Sequence, residues 1–295
     1  MSGSHHHHHH DHVHMSEDDW ARLAAYAELE GEVMLAFLTD TVRWIGEVGG
    51  PVAPDVTRVV DIGSGPGVGT CELARLFPGA QVVAVDSSPA MLARVVDRAA
   101  TDGLADRVHT VRAELPAGLD QLEPADVIWA SMSLHHVGDE VDALRRLGAI
   151  LADGGVLAIA EVAEPTRFLP RTLGIGRPGL AERVEAVEAE WFASMRAGLD
   201  GSVASSPLTD MVGAAGLRVA GARVAVERFE APLGERARRL VAERVRRARH
   251  QLEDRLDRDD LEVLDVLSDP DDPRAAANRP DATLEASRQV VLVRR

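Results

Sequence analysis

Four glycines on alternate positions, Gly63, Gly65, Gly67 and Gly69, follow directly on the apolar run Val59-Val60-Asp61-Ile62, and no other stretch constrains the fold as tightly. The β-branched run reads as a strand, the glycines as a tight loop, and the amphipathic segment beyond Thr70 as a helix. A loop this poor in Cβ atoms lets a ligand approach the backbone closely. The helix behind it turns free N–H groups and the positive end of its dipole toward that ligand.

The strand-then-helix pattern repeats down the chain. Strands are predicted at 58–62, at 81–85 ending on Asp86, at 108–112 ending near Ala113-Glu114, at 126–130 leading into Ser131-Met132-Ser133-Leu134-His135-His136, and at 156–160 ending on Glu161. Between them come helices to about Phe77, from the cap Ser88-Pro89, and over 140–151. Such alternation implies a parallel sheet covered by helices on both faces. Right-handed crossovers then bring the C-terminal ends of the strands to one edge, where ligands bind in sheets of this kind. The glycine loop, Asp86, Glu114, His135 and Glu161 all fall on that edge. Two helices are expected before the sheet, at 17–31 and 32–47. After it come an irregular then helical stretch at 166–205, a helix at 209–215, a strand at 217–229, a strongly helical stretch at 235–267 and a last strand at 287–293.

Composition narrows the class. The chain has 295 residues and a formal charge of −16, which argues against a nucleic-acid partner held by bulk charge. Aromatics make up only 3%, so the core is built from Val, Leu and Ala. Cys71 is the single cysteine, so there is no disulfide framework. Every basic residue apart from histidine is arginine. Residues 1–14 hold eight of the 12 histidines and read as an expression tag, with the native start expected at Met15. No signal-peptide pattern follows and no apolar run reaches membrane-spanning length, so a cytoplasmic protein without a membrane partner is expected. The arginine-rich stretch 236–249 carries interleaved acids and reads as a solvated, salt-bridged helix face.

Two kinds of nucleotide-like ligand suit a glycine-rich first turn followed by an acid after the second strand. The dinucleotide fingerprint G-x-G-x-x-G/A fails in both registers, because Val68 or Thr70 stands where its last glycine belongs. Instead Val59-Val60-Asp61-Ile62-Gly63-Ser64-Gly65-Pro66-Gly67 resembles the first motif of class I S-adenosylmethionine-dependent methyltransferases. Further segments resemble the same family in the same order: Val83-Ala84-Val85-Asp86, Ala113-Glu114, Asp126 to Ser131 with Leu134-His135-His136, and Gly154-Gly155-Val156-Leu157. The resemblance covers roughly 55–165. It implies an α/β fold, a Rossmann-like, seven-stranded, mostly parallel sheet with helices on both faces and an antiparallel last strand. It also implies S-adenosyl-L-methionine as cofactor. Residues 15–54 are then expected to form a helical lid, and 55–295 the methyltransferase domain, with cap insertions at about 166–205 and 235–280.

Under that resemblance Gly63, Ser64, Gly65 and Gly67 form the cofactor loop. Asp86 holds the ribose diol, with Ser87 beside it, since a carboxylate accepts two hydroxyl hydrogen bonds. Asp61 either holds the methionine ammonium or fixes the loop. Glu114 either accepts from the adenine amino group or is an exposed loop acid, with Ala113 beside it, and Ser131 at the end of the fourth strand is a further cofactor-binding residue. His135 and His136 are the candidates for a general base, since histidine titrates near neutrality. Against that stands a packing role for one ring and a backbone hydrogen bond for the other. No spacing of ligands points to a metal. The expected function is methyl transfer to an O, N or C nucleophile of a small organic acceptor, in a bacterial enzyme of specialised metabolism. Non-methyl-transfer chemistry on the same cofactor and a non-catalytic accessory role are the alternatives. A homodimer is left open.

Overall fold

The computed structural model describes residues 17–199, 201 and 206–295. The tag, Met15 and Ser16, and a few residues of the 166–205 stretch lie outside the described residues. Seven strands form one sheet: β1 Arg58–Ile62, β2 Gln81–Asp86, β3 Val108–Arg112, β4 Ala125–Ser131, β5 Leu151–Arg167, β6 Arg218–Phe229 and β7 Leu284–Arg294. Their order is β3-β2-β1-β4-β5-β7-β6. The first five are parallel, and β7 runs antiparallel to both β5 and β6. Ile62 pairs with Val85 on one side and Ala130 on the other, so β1, β2 and β4 end level with one another.

Alternate strand residues feed two cores, as expected for a sheet buried on both faces. Val60, Ile62, Ile128, Leu157 and Ile159 pack under α5 (Glu140–Ala149) and α7 (Leu208–Ala214). Val59, Val82, Ala84, Val127, Trp129 and Ala158 pack under α2 (Leu35–Glu47), α3 (Val68–Leu76) and α4 (Pro89–Thr101). Ser88 caps α4 by accepting from the Met91 N–H, with Pro89 at the first helical position, an arrangement worth about 1 kcal/mol.

A third core stands apart from the sheet faces. Leu29 of α1 (Glu17–Val33), Val184 of α6 (Leu180–Ala197), Leu240, Val241 and Val245 of α8 (Glu235–Gln251) and Leu264 of α9 (Arg258–Ser268) close on Phe168 and Leu284. Phe168 follows the end of β5 and Leu284 opens β7, so this helical layer is tied to the edge where the parallel strands end. No helix among the described residues is long and apolar enough to cross a membrane.

Two elements go beyond the sequence reading. The fifth strand is not confined to 156–160. It begins at Leu151 and, beyond Glu161, keeps pairing with β7 as far as Arg167↔Glu285, with irregular register on either side of Glu164. Pro165 is tolerated at such an irregularity, but in sequence it reads as a strand breaker. The helical stretch over 235–267 divides into two helices, α8 and α9. Asp257 ends the continuity by capping α9, its side chain accepting the Asp260 N–H.

Asp260 also anchors α9 to the chain before α6. Buried, it accepts from Arg183 Nε and Nη2 at 2.6 and 2.7 Å and from Arg177 Nη2 and Nε at 2.9 and 3.2 Å. Arg183 first, then Arg177, hold its pKa down at about 2 against the opposing effect of burial. The folded pKa lies below the unfolded value of about 3.9, so this stabilisation is complete above that value and drains away as pH falls toward about 2. Because the two arginines keep 45% and 32% of their side-chain exposure, Asp260→Asn is expected to cost about 2 kcal/mol at pH 7, below the range for a fully buried pair. Urea unfolding of both proteins at pH 7 and near pH 2.5 checks this. A gap between them that does not shrink on acidification refutes it.

Candidate active site at the edge of the sheet

The glycine loop is stapled to the neighbouring strand. Gly63 and Ser64 both donate their N–H to the Val85 carbonyl, at 2.8 and 3.0 Å. Gly65 donates its N–H to Asp86 Oδ2 at 2.9 Å, and Ser88 donates to Asp86 Oδ1 at 2.9 Å. Asp86, half-buried, therefore fixes both the loop and the start of α4. Gly63 has φ +67°, and a Cβ built on it lies 2.4 Å from Ser133 Cβ, so only glycine lets the loop after β4 pass so close. A Cβ on Gly65 meets nothing within 4 Å, so the loop opens onto free space there. The hydroxyls of Ser64 and Ser133, both buried, have no hydrogen-bond partner among the described residues. Unpaired buried hydroxyls are costly, and here they flank an open loop.

Asp61 lies beneath this loop, 3% exposed, its Oδ2 accepting from the Thr70 hydroxyl at 2.6 Å. Burial pushes its pKa up to about 7, Thr70 pulls it down, and the charge on Asp86 adds to the rise. Ser87 is exposed, and its carbonyl accepts from Arg112 Nε. Ala113 is buried and donates its N–H to the Asp86 carbonyl at 3.1 Å. Glu114 is exposed, and its backbone carbonyl accepts from Gly118.

On the other side of β1, Ser131 is half-buried at the end of β4. Met132 takes the left-handed conformation at φ +55°, which turns the chain into a 3-10 turn at Leu134–His136. Glu161 organises that turn. Its Oε1 accepts the N–H groups of Leu134 and Ser133, at 2.8 and 3.2 Å, and its Oε2 lies 2.6 Å from His135 Nδ1. A carboxylate oxygen at Nδ1 accepts an Nδ1–H, so a neutral His135 ring carries its lone pair on Nε2. It is buried, with its centroid 4.1 Å from the His136 ring and 5.3 Å from Phe192 of α6. His136 is exposed on one side. Desolvation of its ring, followed by the neighbouring His135, lowers its pKa, while Glu161 opposes.

The structure thus brings Asp61, the glycine loop, Asp86, Ser87, Ala113, Ser131, His135 and His136 to one edge, with Glu114 on its exposed rim. Sequence reasoning put Glu161 on that edge but gave it no role. It missed Thr70 altogether, because a threonine nine residues after an aspartate carries no signal until the loop folds back.

A family model described as a methyltransferase domain matches residues 59–155, from β1 into β5. A trans-aconitate 2-methyltransferase from Enterobacter sp. (strain 638) is 30% identical over 184 residues, 56% of this chain and 69% of that protein. The chain belongs to the class I S-adenosylmethionine-dependent methyltransferases. Trans-aconitate 2-methyltransferases from Variovorax paradoxus (strain S110) and Paracidovorax citrulli (strain AAC00-1) are 38% and 41% identical over 128 and 104 residues. Those alignments cover 42% and 35% of this chain, which spans only 47% and 38% of the length of the two relatives. The seven-stranded, mostly parallel sheet with its antiparallel last strand is the one the family resemblance implied.

Proposed function

We propose that the chain transfers a methyl group from S-adenosylmethionine to a nucleophilic atom of a small organic acceptor at this edge. One observation carries the reading: two carboxylates, Asp61 and Asp86, flank a glycine loop that opens onto free space. A pyrophosphate would be repelled there, whereas a ligand with a cationic end and a vicinal diol is attracted. Asp61, buried with no cation to pair with among the described residues, is the group an ammonium would return to its charged form. Asp86 offers its remaining lone pairs to a ribose diol, next to Ser87. Ala113 and Glu114 stand where an adenine would be read. Ser64 and Ser131 line the passage between, and the unpaired Ser64 hydroxyl supplies a donor.

When bound, S-adenosylmethionine supplies an electrophilic methyl group on a sulfonium. The chain's part is to position the acceptor and, where the nucleophile arrives as O–H or N–H, to remove its proton. His135 Nε2 is the group for that removal, with Glu161 fixing its tautomer. His136, its pKa lowered, stays neutral alongside it. The layer of α1, α6, α8 and α9, tied to this edge through Phe168 and Leu284, would cover an acceptor bound there, which supports a small molecule rather than a macromolecule. The relatives' name supports an organic-acid acceptor.

Calorimetric titration with S-adenosylhomocysteine tests the site. Asp86→Ala is expected to weaken binding about thirtyfold, about 2 kcal/mol, the loss of hydrogen bonds to a charged acceptor. No binding by the wild type, or equal affinity in the variant, sinks the reading.

A further inference from the structure

Behind the His135–Glu161 pair, the helical layer holds a group of charges that nothing above uses. Arg288 of β7 is 7% exposed, and Arg244 of α8 keeps 16% of its side-chain exposure. Arg288 lies across from Val162 of β5, next to Glu161 in the chain, and feels the charge of Glu161. Both arginines lean on a single oxygen, Glu30 Oε1 of α1, at 3.5 Å from Arg288 Nη2 and 3.2 Å from Arg244 Nη2. Charge-assisted bonds between guanidinium and carboxylate normally close to about 2.7–2.9 Å. These two are slack, and neither is bidentate.

The remaining donors are poorly met. Each guanidinium has five N–H groups. Apart from Glu30, Arg288 reaches, among the described residues, the carbonyl of Ser287 alone, at 3.2 Å. Arg244 reaches the Thr166 hydroxyl at 3.0 Å and lies over the Phe168 ring at 5.7 Å, while its buried Nε has no hydrogen-bond partner among the described residues. Arg247 sits over the Tyr26 ring at 4.3 Å, adding a third positive charge. On the negative side, Arg244 and Arg288 keep Glu30 ionised against the opposing effect of burial, while burial pushes Glu188 up to about 7, so it is only partly charged at neutrality. Among the described residues Glu30 is thus the one carboxylate within hydrogen-bond reach of Arg244 and Arg288, while Glu161 acts on Arg288 through its charge alone. Buried charges left this short of partners cost several kcal/mol unless an anion completes them.

We propose that Arg288 and Arg244, with Glu30 as a loosely held internal counter-ion, form a carboxylate-binding site beside the candidate methyl-transfer centre. The inference deepens the proposed function. The planar carboxylate of a ligand fits the two forks bidentately, in a way that Glu30 does not. Two sources share that chemistry: a carboxylate of the acceptor and the methionine carboxylate of the cofactor.

The test uses the full chain as wild type, Arg288→Met, Arg288→Lys and Glu30→Gln, with circular dichroism to confirm folding. Thermal melting is followed against citrate, with chloride at matched ionic strength as control. S-adenosylhomocysteine is titrated beside 5′-methylthioadenosine, which lacks the amino-acid carboxylate. In the wild type, citrate is expected to raise the melting temperature beyond chloride, or S-adenosylhomocysteine to bind at least about tenfold tighter than methylthioadenosine. Arg288→Met removes that gain, Arg288→Lys keeps part of it, and Glu30→Gln, by freeing both forks, enlarges it. Loss of the citrate gain alone assigns the site to the acceptor. Loss of the S-adenosylhomocysteine gain alone assigns it to the cofactor. A wild type that responds to citrate but binds neither adenosyl compound refutes the cofactor reading and leaves this site standing. If neither gain exists in the wild type, or both survive in folded Arg288→Met, or Glu30→Gln abolishes the gain, the site is refuted.

Discussion

Gly63→Ala is expected to cost about 3 kcal/mol of folding stability and to weaken S-adenosylhomocysteine binding by about a hundredfold. Two costs add. A non-glycine residue at φ +67° gives up about 1 kcal/mol in the left-handed region. The new Cβ also arrives 2.4 Å from Ser133 Cβ, which is the root of a side chain and not its mobile end. Ser133 yields poorly, because its N–H is held by Glu161 and the following Leu134 N–H is held more tightly by the same carboxylate. Overpacking at a fixed contact costs about 2 kcal/mol. Gly65→Ala is the control. Its φ is +51°, but nothing lies within 4 Å of the new Cβ, so only the backbone cost of about 1 kcal/mol is expected. The new methyl still occupies the space where the ligand approaches. Urea unfolding should therefore separate the two variants, while calorimetry should show both weakened for S-adenosylhomocysteine. Equal stabilities for Gly63→Ala and the wild type would contradict the close packing of the two loops.

The parallel half of the sheet was legible because its signals are local. An apolar run, a turn and an amphipathic helix recur, and β1 to β3 begin where the sequence places them. The glycine loop and Asp86 are readable for the same reason, since strand ends and helix starts fix them within a few residues. What stayed hidden depends on contacts far apart in sequence. The β5 extension is made by pairing with β7 more than a hundred residues on, and Glu164-Pro165 masks it. The arginines of α8 look alike in sequence, yet they divide in space. Arg246 pairs with Glu243 at the surface, while Arg244 turns inward toward Glu30 of α1. Reading that stretch as one solvated face holds for the first and fails for the second. Periodicity gives a helix its faces, but the partner helix decides which face is inside.

Glu161→Gln is expected to lower kcat for methyl transfer to an O–H or N–H acceptor by about a hundredfold or more, with S-adenosylhomocysteine affinity within about twofold of the wild type. The substitution keeps the shape and keeps a carbonyl oxygen for the Leu134 and Ser133 N–H groups, so the turn should hold. What changes is the contact with His135 Nδ1, now 2.6 Å from a carboxylate oxygen. An amide NH2 in that place donates to Nδ1, forces the proton onto Nε2, and removes the lone pair that would accept from the nucleophile. His135→Gln should lose a similar factor, and the double variant little more than either single one, because the two residues act as a unit. An acceptor whose nucleophile is an ionised carboxylate needs no proton removed. With such an acceptor both variants should retain kcat within about tenfold, and the positioning of the acceptor would fall instead to Phe192 and the charges around Arg288. The size of the Glu161→Gln effect, measured on a hydroxyl acceptor beside a carboxylic acid, therefore reports which kind of atom this edge of the sheet methylates.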